Sequence, residues 1–431
     1  MSTAVAEAAT YFVSAERGRG REGTQERPVK NIGNLVDRLE PGDVINIAGG
    51  VYNGRSDAGW VAINVPVSIV GGWNGDFSER DPWGAHKTLL TGANKSENYK
   101  NESRLRIDLA SFNRTNKLAF HRAGEVTQHP VLVDGIIIDN GGRNRYEGEQ
   151  RNKIIRKANP KTGENPTPDG PALAITGALH SQVTVQNCVV VNCGSTQGAL
   201  TVTVAEGGSG KIDNNLVANC TGTGIYARTS FHPDKSKEDL AASYEITHNT
   251  VLFIEKVDAF GTTGGDAFRI DAPMKVNAAG NVFAFSDRYG VNNSSQSEVQ
   301  SLTLAKNLLF GNLQADMVEF DTKMKVTTWE DDSMQLSYES VGNVGTPIEV
   351  PVPSEWLEKY FARNIIDRAA AEADVKATDS LVNELRSILK LPQRAPDLNL
   401  DSDVWLPHMD LEAAIAAGSS RYAGEFGSAK P

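Results

Sequence analysis

The residues with the clearest capacity for chemistry lie in two short segments that read as neighbouring strands. Tyr226 and Arg228 alternate along one segment, and Arg269 and Asp271 alternate along the other. Side chains of a strand point alternately to its two faces, so each pair shares one face. Arginine binds a carboxylate through two parallel hydrogen bonds, and a tyrosine ring offers an amphipathic stacking surface. The pattern therefore indicates a surface that binds a uronate-containing polysaccharide.

Three further side chains extend this chemistry from binding towards catalysis. His232 follows Arg228 and is a candidate base, whereas Glu319 and Asp321 would join Asp271 in binding Ca²⁺. A polysaccharide lyase must neutralise a carboxylate, abstract the C5 proton and protonate the leaving oxygen, and a glycoside hydrolase needs two carboxylates at a defined separation. The candidate catalytic residues are His232, Arg269 and Asp271, and the candidate substrate-binding residues are Tyr226, Arg228, Glu319 and Asp321. No cofactor is required, although Ca²⁺ fits the acids.

The alternative interpretation is structural. Outward arginine and aspartate side chains on stacked strands can be solvated ion pairs that keep a sheet soluble. Alignment of the strands predicts which residues share the outer face, with Leu173, Leu200, Ile225 and Phe268 as the inward residues. The predicted outward residues are Ala174, Thr176, Thr201, Thr203, Tyr226, Arg228, Arg269, Asp271, Asn292, Glu319 and Asp321.

A repeated phrase places these strands on successive coils of one architecture. It carries a polar turn followed by two apolar residues, and it recurs at intervals of roughly 30 residues. Self-similarity at that interval marks a solenoid whose coils bury their apolar faces by stacking, and an asparagine at the turn can bind the equivalent amides above and below. The predicted ladder positions are Cys188, Asn215, Asn249, Asn281 and Asn307. The predicted fold is an all-β right-handed parallel β-helix.

Composition excludes some classes of function. The net charge of −11 argues against non-specific nucleic-acid binding, which needs a basic surface. The sequence has no run of 18 apolar residues, so no membrane span is predicted. Cys193 and Cys220 fall on adjacent coils, where the spacing of parallel strands is wider than a disulfide prefers. We therefore expect buried thiols.

The N-terminal phrases resemble those of right-handed parallel β-helix proteins of the pectin-lyase-like superfamily. The phrases are Gly23-Thr24, Pro28, Ile32, Pro41-Gly42-Asp43-Val44-Ile45, Gly50-Val51-Tyr52 and the segment 67–82. The resemblance covers roughly residues 10–325 and implies the fold. It matches no specific enzyme family, because the superfamily contains lyases, hydrolases, esterases, epimerases and non-enzymatic surface proteins. The signature phrases of its hydrolases and epimerases are absent from this sequence.

The predicted organisation has three parts. Residues 1–9 are an N-terminal remnant or disordered, residues 10–345 form the β-helix with an N-terminal capping helix, and residues 346–431 form a helical C-terminal region with a loose tail. Long loops leave the solenoid at about 141–170 and 229–243. The C-terminal helices would seal the last coil, pack along the side, or form contacts in a homo-oligomer or with an envelope partner.

These observations leave three hypotheses for function. The first is a non-catalytic secreted or cell-envelope protein that binds a polysaccharide or other glycan on one face. The second is a polysaccharide lyase or glycoside hydrolase acting on an acidic polysaccharide, and the third is a subunit of a larger envelope assembly. Ala6-Glu7-Ala8 resembles the end of a signal peptide whose upstream part is missing, which predicts a periplasmic, extracellular or cell-surface location in a bacterium. A frayed cytosolic N-terminus is an equal alternative.

Overall fold

Parallel strands dominate the protein. The computed structural model describes residues 8–53, 60–91, 103–109, 129–139, 171–177, 179–193, 198–205, 207–229, 242–256, 264–271, 274–293, 301–320, 322–328, 338–362, 381–393 and 408–431. Within these ranges the strands form three sheets, and successive coils contribute a strand to each sheet in turn. The architecture is a right-handed parallel β-helix, which confirms the predicted fold class.

Sheet A lies on one side of the solenoid and alternates buried and solvent-facing residues along each strand. Its strands, in the described part of the chain, are β1 (Thr10–Val13), β2 (Val44–Ala48), β5 (Ser68–Trp73), β8 (Val131–Asp134), β11 (Gln182–Gln186), β14 (Ser209–Asp213), β17 (Ser243–Thr247), β20 (Lys275–Ala279), β23 (Ser301–Ala305) and β27 (Glu339–Val341). The alternation is typical of a sheet with one face on a core and one in water.

Sheet B differs because most of its strands are buried on both faces. Its strands in the described residues are β3 (Gly50–Tyr52), β6 (Thr88–Leu90), β9 (Ile136–Asp139), β12 (Val189–Val191), β15 (Leu216–Thr221), β18 (Thr250–Glu255), β21 (Val282–Ala284) and β24 (Leu308–Phe310). Strands that read as continuous apolar runs need a cover on their outer face. The C-terminal region supplies this cover.

Sheet C carries the predicted site. Among the described residues its strands are β4 (Val61–Ile63), β7 (Leu105–Asp108), β10 (Leu173–Thr176), β13 (Leu200–Val204), β16 (Thr223–Thr229), β19 (Asp266–Asp271), β22 (Tyr289–Asn293), β25 (Ala315–Glu319) and β26 (Thr322–Met324). β26 pairs antiparallel with β25 and closes this edge of the sheet. The predicted inward residues Leu173, Leu200, Ile225 and Phe268 are in register and fully buried.

The asparagine ladder stands at the turn between sheets A and B, as predicted. Asn249 is fully buried; its Nδ2 donates to Ile212 O at 2.8 Å and to Asn281 Oδ1 at 3.0 Å, while its Oδ1 accepts from the N and Nδ2 atoms of Asn215. The same pattern continues through Asn307 to Asn343, one coil further than predicted. The column therefore satisfies the backbone of the turn and fixes the register of the coils.

The residue before each ladder position has a left-handed backbone. These residues are Gly135, Asn187, Asn214, His248, Gly280, Lys306 and Gly342, with φ between 50° and 70°. Residues other than glycine and asparagine are strained in this conformation. Most of these positions therefore carry a Gly or an Asn. The turn thus carries two columns, one of backbone geometry and one of side-chain amides.

The N-terminal end has two short 3₁₀ turns, Ile32–Asn34 and Val36–Arg38, where the sequence predicts one helix. Asn31 begins the first turn, and its side chain accepts from Gly33 N at 3.1 Å. Ile32 and Leu35 are fully buried against the first coil. The segment therefore covers the open apolar end although its backbone is tighter than an α-helix. A third 3₁₀ turn, Val326–Thr328, follows β26.

The C-terminal region packs along the side of the solenoid, which decides among the predicted alternatives for its intramolecular role. Helix Ser354–Ala362 places Trp356 and Tyr360 against Phe253, with ring centroids 4.9 Å apart in each pair. Helical residues 381–388 lie near Gly311, and helix Leu411–Gly418 contacts β12 and β15. Together these segments bury the outer apolar residues of sheet B. Among the described residues, no helix has the length and apolar character to cross a membrane.

The end of the chain is held in place, which corrects the expectation of a loose tail over Ala417–Pro431. Ser428 is fully buried, and its N–H donates to Thr250 Oγ1 at 2.8 Å. Ala429 forms paired hydrogen bonds with the Asn214 side chain. The tail is therefore held against the polar turn between sheets A and B by its backbone and by Ser428.

The cysteines are buried free thiols, as predicted. Burial raises the pKa of Cys188 to about 12 and raises the pKa of Cys193 well above its ordinary value. Both groups are therefore protonated at neutral pH.

The predicted loop of residues 141–170 lies outside the described residues, as does all but the two ends of the 229–243 loop.

Replacing one ladder residue tests the role of the column. We expect Asn249→Ala to lower the free energy of unfolding by about 3 kcal/mol or more, since it leaves several buried donors and acceptors of the turn without partners. Asn277→Ala, which removes an exposed amide from sheet A, is the control and should cost less than about 0.5 kcal/mol. Urea denaturation measures both values. Equal costs for the two variants would contradict the proposed role of the ladder.

Candidate functional site

The outer face of sheet C brings the predicted side chains together. In the parallel register, Thr201 pairs with Tyr226 and Tyr226 with Arg269, while Arg228 pairs with Asp271. Adjacent strands are about 4.8 Å apart, so these residues form two rows on neighbouring coils. The register predicted from the sequence is confirmed for β10, β13, β16 and β19. We call Tyr226, Arg228, Arg269 and Asp271 the Tyr226 cluster.

Tyr226 stands at the centre of this cluster. Its hydroxyl donates to Asp271 Oδ2 at 2.9 Å, and the guanidinium carbons of Arg228 and Arg269 lie 5.0 and 5.2 Å from its ring centroid. Burial raises the pKa of Tyr226, so the hydroxyl stays protonated and remains a donor. Two cations near one aromatic ring stabilise it electrostatically and hold it in place.

Asp271 ties the cluster together. Its Oδ2 also lies 3.4 Å from Arg228 Nε, and about a third of each of these two side chains is exposed. This contact is an ion pair without hydrogen-bond geometry, because Arg228 Nε has no hydrogen-bond partner among the described residues. Solvent screens a pair of this kind, which contributes at most about 1 kcal/mol. The carboxylate therefore orients the tyrosine and one arginine more than it stabilises the fold.

Arg269 differs from Arg228 in having no carboxylate of its own. Among the described residues it has no ion-pair partner within 4 Å, and its guanidinium carbon lies 5.2 Å from the Tyr226 ring centroid. A guanidinium that lies beside an aromatic ring without a carboxylate at ion-pair distance has N–H groups that can bind a planar anion. The cluster can thus bind a carboxylate at Arg269 on a partly exposed surface.

Asp266 is a neighbouring acid that sequence reasoning missed. It is fully buried at the start of β19, accepts from Asn292 Nδ2 at 2.7 Å and lies 3.9 Å from Arg288 Nε. Burial raises its pKa to about 6, although Arg288 and Arg269 act in the opposite direction. The available signal was its position two residues before the inward Phe268, in register with Thr223, which places an acid in an inward row. An acid is rarely buried at such a position. Full burial keeps Asp266 away from a polymeric ligand.

Glu319 does not join the outward row, contrary to the predicted alignment. Val291 pairs with inward Met317, so Val318 is in register with Asn292 and Glu319 with Asn293. Glu319 is 8 % exposed and lies near Tyr338, which packs in the interior. β25 also pairs with the antiparallel β26, a departure from the coil pattern that the repeat did not reveal.

The remaining predicted residues, His232 and Asp321, lie outside the described residues. The described ranges contain no group of three His, Cys, Asp or Glu side chains that could hold a metal ion. The Ca²⁺ site built from Asp271, Glu319 and Asp321 therefore stays a prediction. Of its two described residues, Asp271 belongs to the outward row of sheet C and Glu319 to an inward row.

No protein-family model matches the chain, and no curated protein or solved structure shows significant similarity to it. The assignment of a β-helix rests on the strand topology. The resemblance to the pectin-lyase-like superfamily remains an expectation from the sequence phrases.

The buried carboxylate predicts a pH dependence of stability. The native state holds the Asp266 proton up to about pH 6, whereas an unperturbed aspartate releases it near pH 3.8. The native state therefore binds more protons in this window, and the free energy of unfolding falls as pH rises through it and stays low above it. We expect Asp266→Asn to remove this fall and to be more stable than the unmodified protein at pH 7.5 by about 3 kcal/mol, since one pKa unit corresponds to about 1.4 kcal/mol.

Chemical denaturation at pH 4, 5, 6 and 7.5 measures this effect. Glu245→Gln, which removes an exposed carboxylate from sheet A, is the control for loss of one negative charge. A pH profile of Asp266→Asn parallel to that of the unmodified protein would show that Asp266 is ionised throughout this range.

Proposed function

We propose that the outer face of sheet C binds an acidic polysaccharide through the Tyr226 cluster. The observation that supports this proposal is the Arg269 guanidinium, whose carbon lies 5.2 Å from the Tyr226 ring centroid and which has no carboxylate within 4 Å among the described residues. A uronate carboxylate would accept hydrogen bonds from its N–H edge. Arg228, whose charge is shared with Asp271, would form a second and weaker contact.

The proposed role is binding without catalysis. Asp271 is engaged by Tyr226 and Arg228, so its carboxylate serves to position its neighbours. Asp266 has the raised pKa of an acid catalyst, but it is fully buried. The alternative is a lyase or hydrolase in which His232, Arg269 and Asp271 would be the catalytic residues. Release of unsaturated or reducing sugars from a polyuronate would favour that alternative.

The proposed location follows from the ligand. Acidic polysaccharides occur outside the cytoplasm, so we propose a secreted or cell-envelope protein in the periplasm, in the medium or on the bacterial surface. The N-terminal phrases resemble those of the pectin-lyase-like superfamily, which includes non-enzymatic surface proteins, and this resemblance is compatible with the proposed location. A homo-oligomer or a larger envelope assembly is compatible with this location.

Affinity electrophoresis tests the ligand. We expect polygalacturonate or alginate in the gel to retard the protein, and a neutral glucan to leave its mobility unchanged. Arg269→Gln should weaken polyuronate binding about tenfold or more, since hydrogen bonds to charged groups contribute about 1.5–3 kcal/mol. Added salt should weaken binding by the unmodified protein, because solvent-exposed charge pairs are screened.

Arg38→Gln provides a matched control. Arg38 also stacks on a tyrosine, with its guanidinium carbon 5.2 Å from the Tyr11 ring centroid, but it lies at the N-terminal end of the solenoid. The two variants lose the same charge and the same kind of contact. Equal loss of affinity in both, or retardation by neutral glucan to the same degree, would show that the Tyr226 cluster is not the binding site.

A further inference from the structure

The last residues of the chain run along the solenoid axis and contact one coil after another. Glu425 pairs with Lys306 at 3.8 Å, Gly427 N donates to Gly280 O at 2.7 Å, and Ser428 N donates to Thr250 Oγ1 at 2.8 Å. The contacted residues lie on three successive coils at the turn between sheets A and B. An extended chain advances about 3.3–3.6 Å per residue, so this short segment is long enough to cross them.

The contacts then reach towards the N-terminal coils. Ala429 N donates to Asn214 Oδ1 at 2.8 Å, and Asn214 Nδ2 donates to Ala429 O at 2.9 Å. This paired arrangement has the pattern that two backbone segments form in a sheet, with a side-chain amide in place of one of them. Lys430 Nζ lies 3.0 Å from Asp81, in the segment between β5 and β6.

A second point of attachment lies just before helix Leu411–Gly418. Met409 is fully buried, and its N and O atoms form the same paired hydrogen bonds with the side chain of Asn192, both at 2.9 Å. Glu412 pairs with Lys87 at 3.1 Å, again next to an early coil. Residues 408–431 thus connect the coil of Lys306 to the segment between β5 and β6, which contains Asp81 and Lys87. We call this segment the C-terminal clasp.

Coils of a solenoid contact only their neighbours, so the stability of such an array is a sum of local terms and its ends can open separately. A segment attached to distant coils adds contacts that do not follow this rule. We infer that the C-terminal clasp couples the early and late coils and makes the solenoid open as one cooperative unit. This inference concerns the fold as a whole and does not depend on the proposed glycan site.

The cover of sheet B gives the same coupling an apolar component. Phe253, Phe285 and Leu216 face the C-terminal segments from three different coils, and Gly418 lies against Leu216 so closely that an added Cβ would be 2.8 Å from its side chain. Opening one late coil therefore exposes surface on the clasp as well as on the next coil. The cost of opening is shared along the solenoid.

Hydrogen exchange measured by mass spectrometry tests the inference on the full-length chain. Ala429→Pro removes the N–H that binds Asn214 and leaves the repeat sequence unchanged, so the coils can still form. We expect exchange to become about tenfold faster in residues 408–431 and also in the end coils, around β5–β6 and β23–β24, because one or two hydrogen bonds of the clasp are lost. Faster exchange confined to the tail itself would overturn the inference.

Two asparagine variants give a matched comparison from the solenoid side. Asn214→Gly and Asn187→Gly both place a glycine at a position with φ near 55°, and both remove a side-chain amide from the residue that precedes the ladder. Only Asn214 of the two binds the tail through Ala429. We expect Asn214→Gly to reproduce the faster exchange of the end coils and Asn187→Gly to affect its own and adjacent coils. The same exchange pattern in both variants would contradict the coupling.

The cooperativity itself can be measured by denaturation. In the unmodified protein, tryptophan fluorescence, to which Trp83 and Trp356 in the cover of sheet B contribute, and far-UV circular dichroism of the strands should report one coincident transition. In Ala429→Pro the fluorescence transition should precede the dichroism transition. Coincident transitions in this variant would count against the clasp as the source of cooperativity.

Discussion

The hydrogen bonds of the buried asparagine column are the constraint on which the rest of the structure depends. The backbone N–H of Asn249 donates to the side chain of Asn281 on the following coil. Its side-chain amide donates both to that coil and to a backbone carbonyl of the preceding coil. These groups are buried, so water does not compete for them. A shift of one coil by one residue would leave these groups without partners and would exchange the inward and outward residues of the strands in that coil. The column therefore sets the register that brings Tyr226 beside Arg269 on the opposite side of the solenoid.

The three sheets divide the work of the fold by the polarity of their outer faces. Sheet A presents polar residues to water, sheet B is apolar on both faces and is covered by the C-terminal segments, and sheet C presents charged and aromatic residues. The same chain end that covers sheet B also binds the turn beside it. The Tyr226 cluster lies on a different sheet from the one that these segments cover.

Two acids near this face behave differently because of their surroundings. Asp271 is partly exposed and shares its charge with a tyrosine hydroxyl and an arginine, so it serves to arrange the cluster. Asp266 is enclosed, and desolvation raises its pKa despite nearby cations. Geometry alone would make either residue a candidate for catalysis, but Asp271 is engaged by its neighbours and Asp266 is fully buried.

The sequence alone determined the solenoid, the ladder and the register of the central sheet C strands. Each depends on a local pattern that recurs from coil to coil, either an asparagine at a turn or alternation along a strand. The sequence also contained the signal for the cover of sheet B in runs such as Val189-Val190-Val191, which are apolar on both faces. Only the tertiary structure decided what covers that sheet, that the polar tail binds Asn214, that Glu319 lies in an inward row and that Asp266 is enclosed. Those outcomes depend on contacts between residues up to about 350 positions apart, such as Lys430 with Asp81, and no periodic pattern encodes contacts of that kind.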